Sequence, residues 1–423
     1  MSGRLSRGVV LLLGSTVVGL LPGFVLPFAL ALALSSEMSD TLLLGYGIAL
    51  FFTGVVGVPV EANTLAEYGR NPLRVRGARS SPFWWYVGRV TAASAVAVLV
   101  FAPLLTWIYS AGGSGLWGLL APIAVLSFVN AISSVFSAVI AGRGFTAVVV
   151  GSQSLRAGPV LVALVAVSEP GIQMLAWLLV AGDLLRLAVL MALSMSTDHR
   201  CGAPGHDEWR FRGSLWQMLS TSASQVSPAL DRWFLAGSGV SGVITAYEVS
   251  DKVYYGGYRF ISSGLLISRV ARWGDLLASG RTAARAVVMR DLRVIGGAGL
   301  VLVPMLAALA GGLLWSGWTP DEWDTGLQWA IVNIITLPFG LCHGLLARVI
   351  VALRQQAVFI RLTAVSVTSN ALLNTIWFAV LGPVGIVVSS MCTRILIFVA
   401  YLLVVKRLIN RAPVPPAAQD VRT

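Results

Sequence analysis

"LDRWFLAGSGVSGVITAYEVSDKVYYGGYRFISSGLLISRV" occupies residues 230–270. Two weakly polar runs meet there at a glycine-rich break, and charges stand inside both. Asp231 and Arg232 come late in the first run; Glu248, Asp251 and Lys252 come early in the second. Each run is long enough, at about 20 residues, to cross a bilayer as a helix. The fold then depends on whether the rest of the chain is built the same way.

The composition says that it is. Of the 423 residues 57% are hydrophobic and only 11% are charged, whereas soluble domains carry about 25% charged residues. Twelve apolar runs are predicted to span: 9–34, 41–60, 84–109, 116–141, 145–167, 172–195, 214–236, 244–270, 295–315, 327–353, 358–380 and 384–405. The net charge of +12 would suit nucleic acid in a soluble protein. Here the arginines cluster in short loops between apolar runs, which excludes a nucleic-acid partner and suits an anionic membrane face. Three cysteines, Cys201, Cys342 and Cys392, lie far apart and form no disulfide framework.

Loop charge predicts orientation. One set of loops holds Arg4 and Arg7, Arg70 to Arg79, Arg143, Arg200 to Arg212, Arg272 to Arg293, Arg354, and Lys406 to Arg411. The alternate set has no Lys or Arg and holds Glu37, Asp40, Glu169, Asp321, Glu322 and Asp324. The positive-inside rule places both termini in the cytoplasm, in a multi-pass protein of the cytoplasmic membrane. Trp84, Trp85 and Tyr86 on one side, with Trp107, Tyr109, Trp315, Trp318 and Trp323 on the other, read as interfacial belts.

A repeat divides the chain. "RGVVLLLGSTVVGLLP" from Arg7 aligns with "RGSLWQMLSTSASQVSP" from Arg212, at the starts of the first and seventh runs. "VSEPGI" and "LGPVGI", at 167–172 and 381–386, form the matching outer turns of the two halves. The expected organisation is a six-helix half at 1–199, a cytoplasmic linker at 200–213, a second half at 214–405 and a tail at 406–423. Six spans is an even number, so the halves run parallel, and the first run is a retained span rather than a cleaved signal. Pro22 and Pro228 then bend equivalent helices as hinges.

Charges within spans mark protein-facing or wet positions. Residues equally far from a tight turn lie side by side, which pairs Arg232 with Glu248 and sets Asp231, Asp251 and Lys252 beside them. That group, near the outer end of its hairpin, is either a self-neutralising clamp or a gate and ion network. In the fifth–sixth hairpin Arg156 and Asp183 fall together about 20 Å from the outer side, and Arg186 stands one turn further in. In the eleventh–twelfth hairpin Asn370 and Arg394 meet at matching depth, with no local carboxylate. A buried Arg without an acid requires an anion, carbonyls or water. Arg186 and Arg394 are therefore the leading anion-binding candidates. Arg156 belongs to the same set, and Arg89, Arg259 and Arg348 stand nearer the cytoplasmic side, where they either begin an anion path or snorkel.

Other chemistries find little support. Neither lysine sits in a Gly-Lys-Ser/Thr context, which excludes a Walker ATP site. No cofactor is implied. His199, Cys201 and His206 share one cytoplasmic loop but read as solvated rather than as a metal site. Glu37 and Asp40, in the first outer loop, are weak candidates for catalysis, and no loop is long enough for a soluble catalytic domain.

Twelve spans in two parallel halves resemble the multidrug/oligosaccharidyl-lipid/polysaccharide exporter superfamily. Residues 230–270 and "TSNALLNTIWFAVLGPVGIVVSS" at 368–390 carry most of the likeness: an Asp late in the seventh span, a Tyr-rich eighth span, Asn370, Asn374 and a Gly-Pro turn. The resemblance is greatest to the polysaccharide (O-antigen type) flippases, with lipid II flippases as relatives. It implies an all-α polytopic protein with two six-helix bundles around a central cavity, working by alternating access and not as an enzyme. It implies a polyprenyl-diphosphate-linked glycan as substrate, with Asn370, Asn374 and Asp183 as polar cavity positions. Membrane lipids, and a glycan polymerase with its assembly proteins, would be partners. A cation-coupled exporter of the same superfamily is the alternative; a membrane glycosyltransferase or polymerase is a more distant one.

Overall fold

The computed structural model describes residues 2–61, 81–110, 115–143, 145–196, 225–262, 281–317, 319–353 and 355–411. Among these every regular element is helical. That is the expected outcome for long apolar segments, because only helices satisfy their own backbone hydrogen bonds in lipid without closing a barrel. Among the described residues nine helices are long and apolar enough to span, or ten when one bent pair is included. The chain is therefore an all-α polytopic membrane protein. The seventh and eighth predicted spans fall outside that count. The seventh is described only over 225–236, and the eighth carries Glu248, Asp251, Lys252 and Arg259 within 19 residues.

Two compact units divide the chain at Thr245/Ala246. The first contains α1 (Ser2–Ala33), α2 (Ser36–Phe52), α3 (Ser81–Tyr109), α4 (Leu120–Gly142), α5 (Thr146–Gly151), α6 (Ser154–Ala166), α7 (Ile172–Ser196) and α8 (225–236). α2 continues through a π-turn at Thr53–Gly57 and ends at residue 61. The fifth predicted span is thus two helices, interrupted at Ser152 and Gln153. α4 is the centre of the unit, packed by α2, α3 and α7. Of its apolar window 78% is buried, against 22% for α1 and for α3, most of whose surface is exposed. At Gly182 a Cβ would run into the carbonyl oxygens of Leu155 and Arg156, so glycine sets the close approach of α6 to α7. α1 remains one helix through Pro22 and Pro27, and Pro228 lies within α8.

The second unit holds nearly all of α9 (Val243–Ile261), then α10 (Arg281–Ser316), α11 (Asp321–Ile334), α12 (Leu337–Ala352), α13 (Gln356–Leu381) and α14 (Val384–Arg411). Its core gathers Tyr254, Ile295, Leu341, Leu345 and Tyr401 around α12. The tenth predicted span is broken: α11 and α12 meet at 57° across Ile335 and Thr336. Pro338 accounts for the break, because it has no N–H for the carbonyl one turn back and its ring clashes there. The Thr336 N–H and hydroxyl both turn back to the Asn333 carbonyl, at 3.1 and 2.8 Å. In the α13–α14 turn Gly382 has φ +64°, and a Cβ on Gly385 would strike the Trp377 carbonyl. The Gly-Pro-Val-Gly signal therefore has a steric origin.

Candidate functional site

Each unit encloses a guanidinium in mid-helix. In the first unit Asp183 of α7, 1% exposed, accepts from Arg156 Nε at 2.9 Å and from Asn130 Nδ2 of α4 at 2.8 Å. The expected Arg156–Asp183 pair forms, and α4 adds an amide that hairpin counting had no means to find. One turn on, Arg186 is 4% exposed. Its Nη2 donates to Ser137 Oγ at 3.0 Å and its Nε to Ser152 Oγ at 3.4 Å. Its Nη1 is buried with no hydrogen-bond partner, as are Asn130 Oδ1 and Ser133 Oγ on the facing helix. Ser152 is available because α5 and α6 part there.

Arg186 is not remote from acid, contrary to the sequence expectation. Asp183 and Glu61 both lie within its electrostatic reach, and Glu61 also feels Arg156. Glu61 closes the described part of the second span, one residue beyond its predicted end, so it was missed as a site residue.

In the second unit Arg394 of α14 donates through Nη1 to Asn333 Oδ1 and, at 3.3 Å, to Thr336 Oγ1. Its guanidinium carbon lies 3.8 Å from the centre of the Tyr254 ring. Asn333 in turn donates to Ser250 Oγ at 3.4 Å. Hairpin counting gave Arg394 the wrong amide: Asn370, 3% exposed, instead accepts from Asn374 Nδ2 at 3.3 Å. The partner comes from the broken α11–α12 helix, whose bend brings Asn333 and Thr336 to the same guanidinium. A carboxylate also lies in range, since Asp251 interacts electrostatically with Arg394. Arg348, half-buried, extends the feature along α12, with a buried Nη1 that has no partner. Gly340 and Gly344 precede it at one-turn spacing, and they leave room for the hydroxyls of Tyr254 and Tyr258. Arg89 and Arg259 are exposed.

The charges of the 230–252 stretch divide between the units. Arg232, 9% exposed, donates to the Pro228 carbonyl at 3.4 Å and lies against Gly47 of α2, where a side chain would displace it. Asp231 and Arg232 both act electrostatically on Tyr109. That tyrosine is 3% exposed and donates to the Ala229 carbonyl at 3.0 Å. Tyr109 and Tyr86 are thus core residues rather than belt residues, while Trp85, Trp107 and Trp315 are exposed as the belt requires. In the second unit Lys252 pairs with Glu248 at 3.7 Å. Beside Tyr109 an open, largely apolar cavity of about 740 Å³ is lined by Phe51, Trp107, Trp117 and Trp233.

Asp40 is corrected from a loop acid to a helix cap. It lies in α2, 7% exposed, and accepts from the Gly242 N–H, the Thr245 N–H and the Thr245 hydroxyl at 2.8, 2.8 and 2.6 Å. These are orphan donors at the start of α9, and Gly242, at φ +83°, makes the turn into it. His199, Cys201 and His206, the linker at 200–213 and the first part of the seventh span lie outside the described residues.

No protein-family model matches the chain, and no curated protein matches it in sequence. Solved structures do match in fold. The lipid II flippase MurJ in an inward closed conformation superposes with a TM-score of 0.74 at 12% identity, covering 96% of this chain and 89% of that one. An inward-facing multidrug resistance MATE family transporter of the MOP superfamily gives 0.66 at 12% identity, covering 96% and 100%. The Vibrio cholerae MATE transporter VcmN in its bent form gives 0.61 at 13% identity, covering 96% and 97%. The chain has the helical fold of these MOP superfamily proteins.

Proposed function

We propose that this protein is a flippase of the cytoplasmic membrane that carries a polyprenyl-diphosphate-linked glycan from the inner to the outer leaflet by alternating access. It has both termini in the cytoplasm and two parallel six-helix halves, and it acts as a transporter rather than an enzyme. The observation that carries the reading is Arg186. A guanidinium buried in mid-span, held by two serine hydroxyls and with one nitrogen bare, is the group expected to take a phosphate oxygen. Arg156 stands beside it, and Arg394 supplies a second cation held by uncharged groups. The membrane potential would assist outward movement, since one charge crossing 100 mV is worth about 2.3 kcal/mol. Similarity in fold to a lipid II flippase supports the reading; similarity to multidrug resistance MATE transporters keeps small-molecule export as its rival.

The test uses the full chain in lipid nanodiscs with a polyprenyl-diphosphate disaccharide. Arg186→Gln, which retains hydrogen bonding to the serines, is expected to weaken binding by roughly ten- to a hundredfold, and Arg394→Gln by a similar factor. Unchanged affinity in both variants removes the anion site. Cation-driven efflux of a small organic cation by wild-type proteoliposomes, without lipid binding, would favour the rival.

A further inference from the structure

The flippase reading uses arginines for a diphosphate but leaves the glycan without a place. α9 supplies one. Its Val249, Tyr254, Gly257 and Ile261 are buried. Tyr254 and Ile261 belong to the core with Ile334 and Leu337. On another side Lys252, Tyr255 and Arg259 follow at i, i+3 and i+7, the spacing of a single helix face, over about 10 Å of rise. The Lys252 side chain is 22% exposed, Tyr255 as a residue 40%, and Arg259 is exposed. Two cations on one face of a membrane helix suit a watery passage better than hydrocarbon.

The charges on this helix balance. Lys252 pairs with Glu248, and Asp251 with Arg259 brings the four to zero. With the charge of Lys252 met by Glu248, Lys252 and Arg259 offer hydrogen-bond donors to a ligand rich in acceptors. Tyr255 adds a part-exposed aromatic ring held by contacts with its neighbours. Its ring stands edge-on to Tyr254 at 5.3 Å and 89°, and to Tyr258 at 6.2 Å and 73°. A fixed aromatic platform between a lysine and an arginine matches a sugar, which offers one face of C–H groups and a rim of hydroxyls.

Resting on the flippase reading, we infer that Lys252, Tyr255 and Arg259 form a saccharide-contacting track, with Tyr255 as its stacking platform. The experiment compares nanodisc binding of undecaprenyl diphosphate with that of the same lipid carrying a neutral hexosamine–hexose disaccharide. Wild type is expected to prefer the glycosylated lipid by roughly three- to tenfold, the range of a single aromatic contact. Tyr255→Ala should erase the preference while binding undecaprenyl diphosphate as before, and Tyr255→Phe should retain it. Arg186→Gln should weaken both lipids together. No preference in wild type, a preference that survives Tyr255→Ala, or parallel loss of both lipids in Tyr255→Ala each overturns the track. Failure of wild type to bind either lipid overturns the flippase reading itself.

Discussion

Two mid-helix arginines, one in each unit, are held in two different ways. Around Arg186 the first unit uses ionic groups: Arg156 closes on Asp183, Glu61 stands within reach, and serines fill the gaps. Around Arg394 the second unit uses an amide, a hydroxyl and the face of a tyrosine, with Asp251 acting at longer range. The backbone follows suit. α6 and α7 touch main chain to main chain at Gly182, whereas α12 opens glycine notches that admit tyrosine hydroxyls. An ionic cluster is rigid in charge, because removing one member strands another. A cluster of neutral dipoles tolerates the loss of any one partner. The first sets its guanidinium among other charges, the second among dipoles and a ring face.

The largest expected effect tests that contrast directly. Asp183→Leu leaves the Arg156 guanidinium with no hydrogen-bonded carboxylate, and breaking a buried pair from one side costs about 3–5 kcal/mol. Asn333→Ala removes a neutral acceptor for Arg394 and a long donor to Ser250, and hydrogen bonds between membrane helices average about 0.6 kcal/mol. Thermal unfolding in detergent should show a large drop for the first variant and a small one for the second. Equal drops would abolish the distinction between the two sites.

Next in size are the glycines. Gly182→Ala forces a methyl against two backbone carbonyls that have nowhere to go, and overpacking of this kind costs about 1–3 kcal/mol. Gly344→Ala meets only the Tyr258 hydroxyl at the end of a long side chain. It should destabilise less, and Tyr258→Phe in the same chain should restore most of the loss. No second-site change on a side chain is expected to rescue Gly182→Ala.

Hydropathy and loop charge made the spans legible, because membrane-crossing length and interfacial charge are local properties of sequence. The pairing of Arg156 with Asp183 was legible for the same reason: both helices share one tight turn, so depth could be counted. Counting failed for Arg394. Its partners Asn333 and Thr336 come from a helix that is not its hairpin neighbour, and they are turned toward it by a break at Pro338 that apolar composition conceals. Glu61 was missed because a polar residue at the edge of an apolar window looks like the end of a span, whereas α2 carries its helix to that residue. Asp40 looked like a loop acid because the helix start it caps lies 202 residues away along the chain. Local signals give elements; contacts between distant elements require the fold.

The smallest effect isolates what holds Arg394. If the Tyr254 ring face is the relevant partner, Tyr254→Phe retains it, and stability and lipid binding should stay within about 0.5 kcal/mol of wild type, since the quadrupole of Phe still faces the cation. Tyr254→Leu retains bulk but removes the face, and it should cost about 1–2 kcal/mol, the range for a desolvated cation–π contact. Chemical denaturation of both variants in the same detergent separates the two. A loss for Tyr254→Phe equal to that for Tyr254→Leu would shift the weight to the hydroxyl in the Gly340 notch. Tyr254 would then act through its hydroxyl, while the Asn333 and Thr336 contacts hold Arg394 in either case.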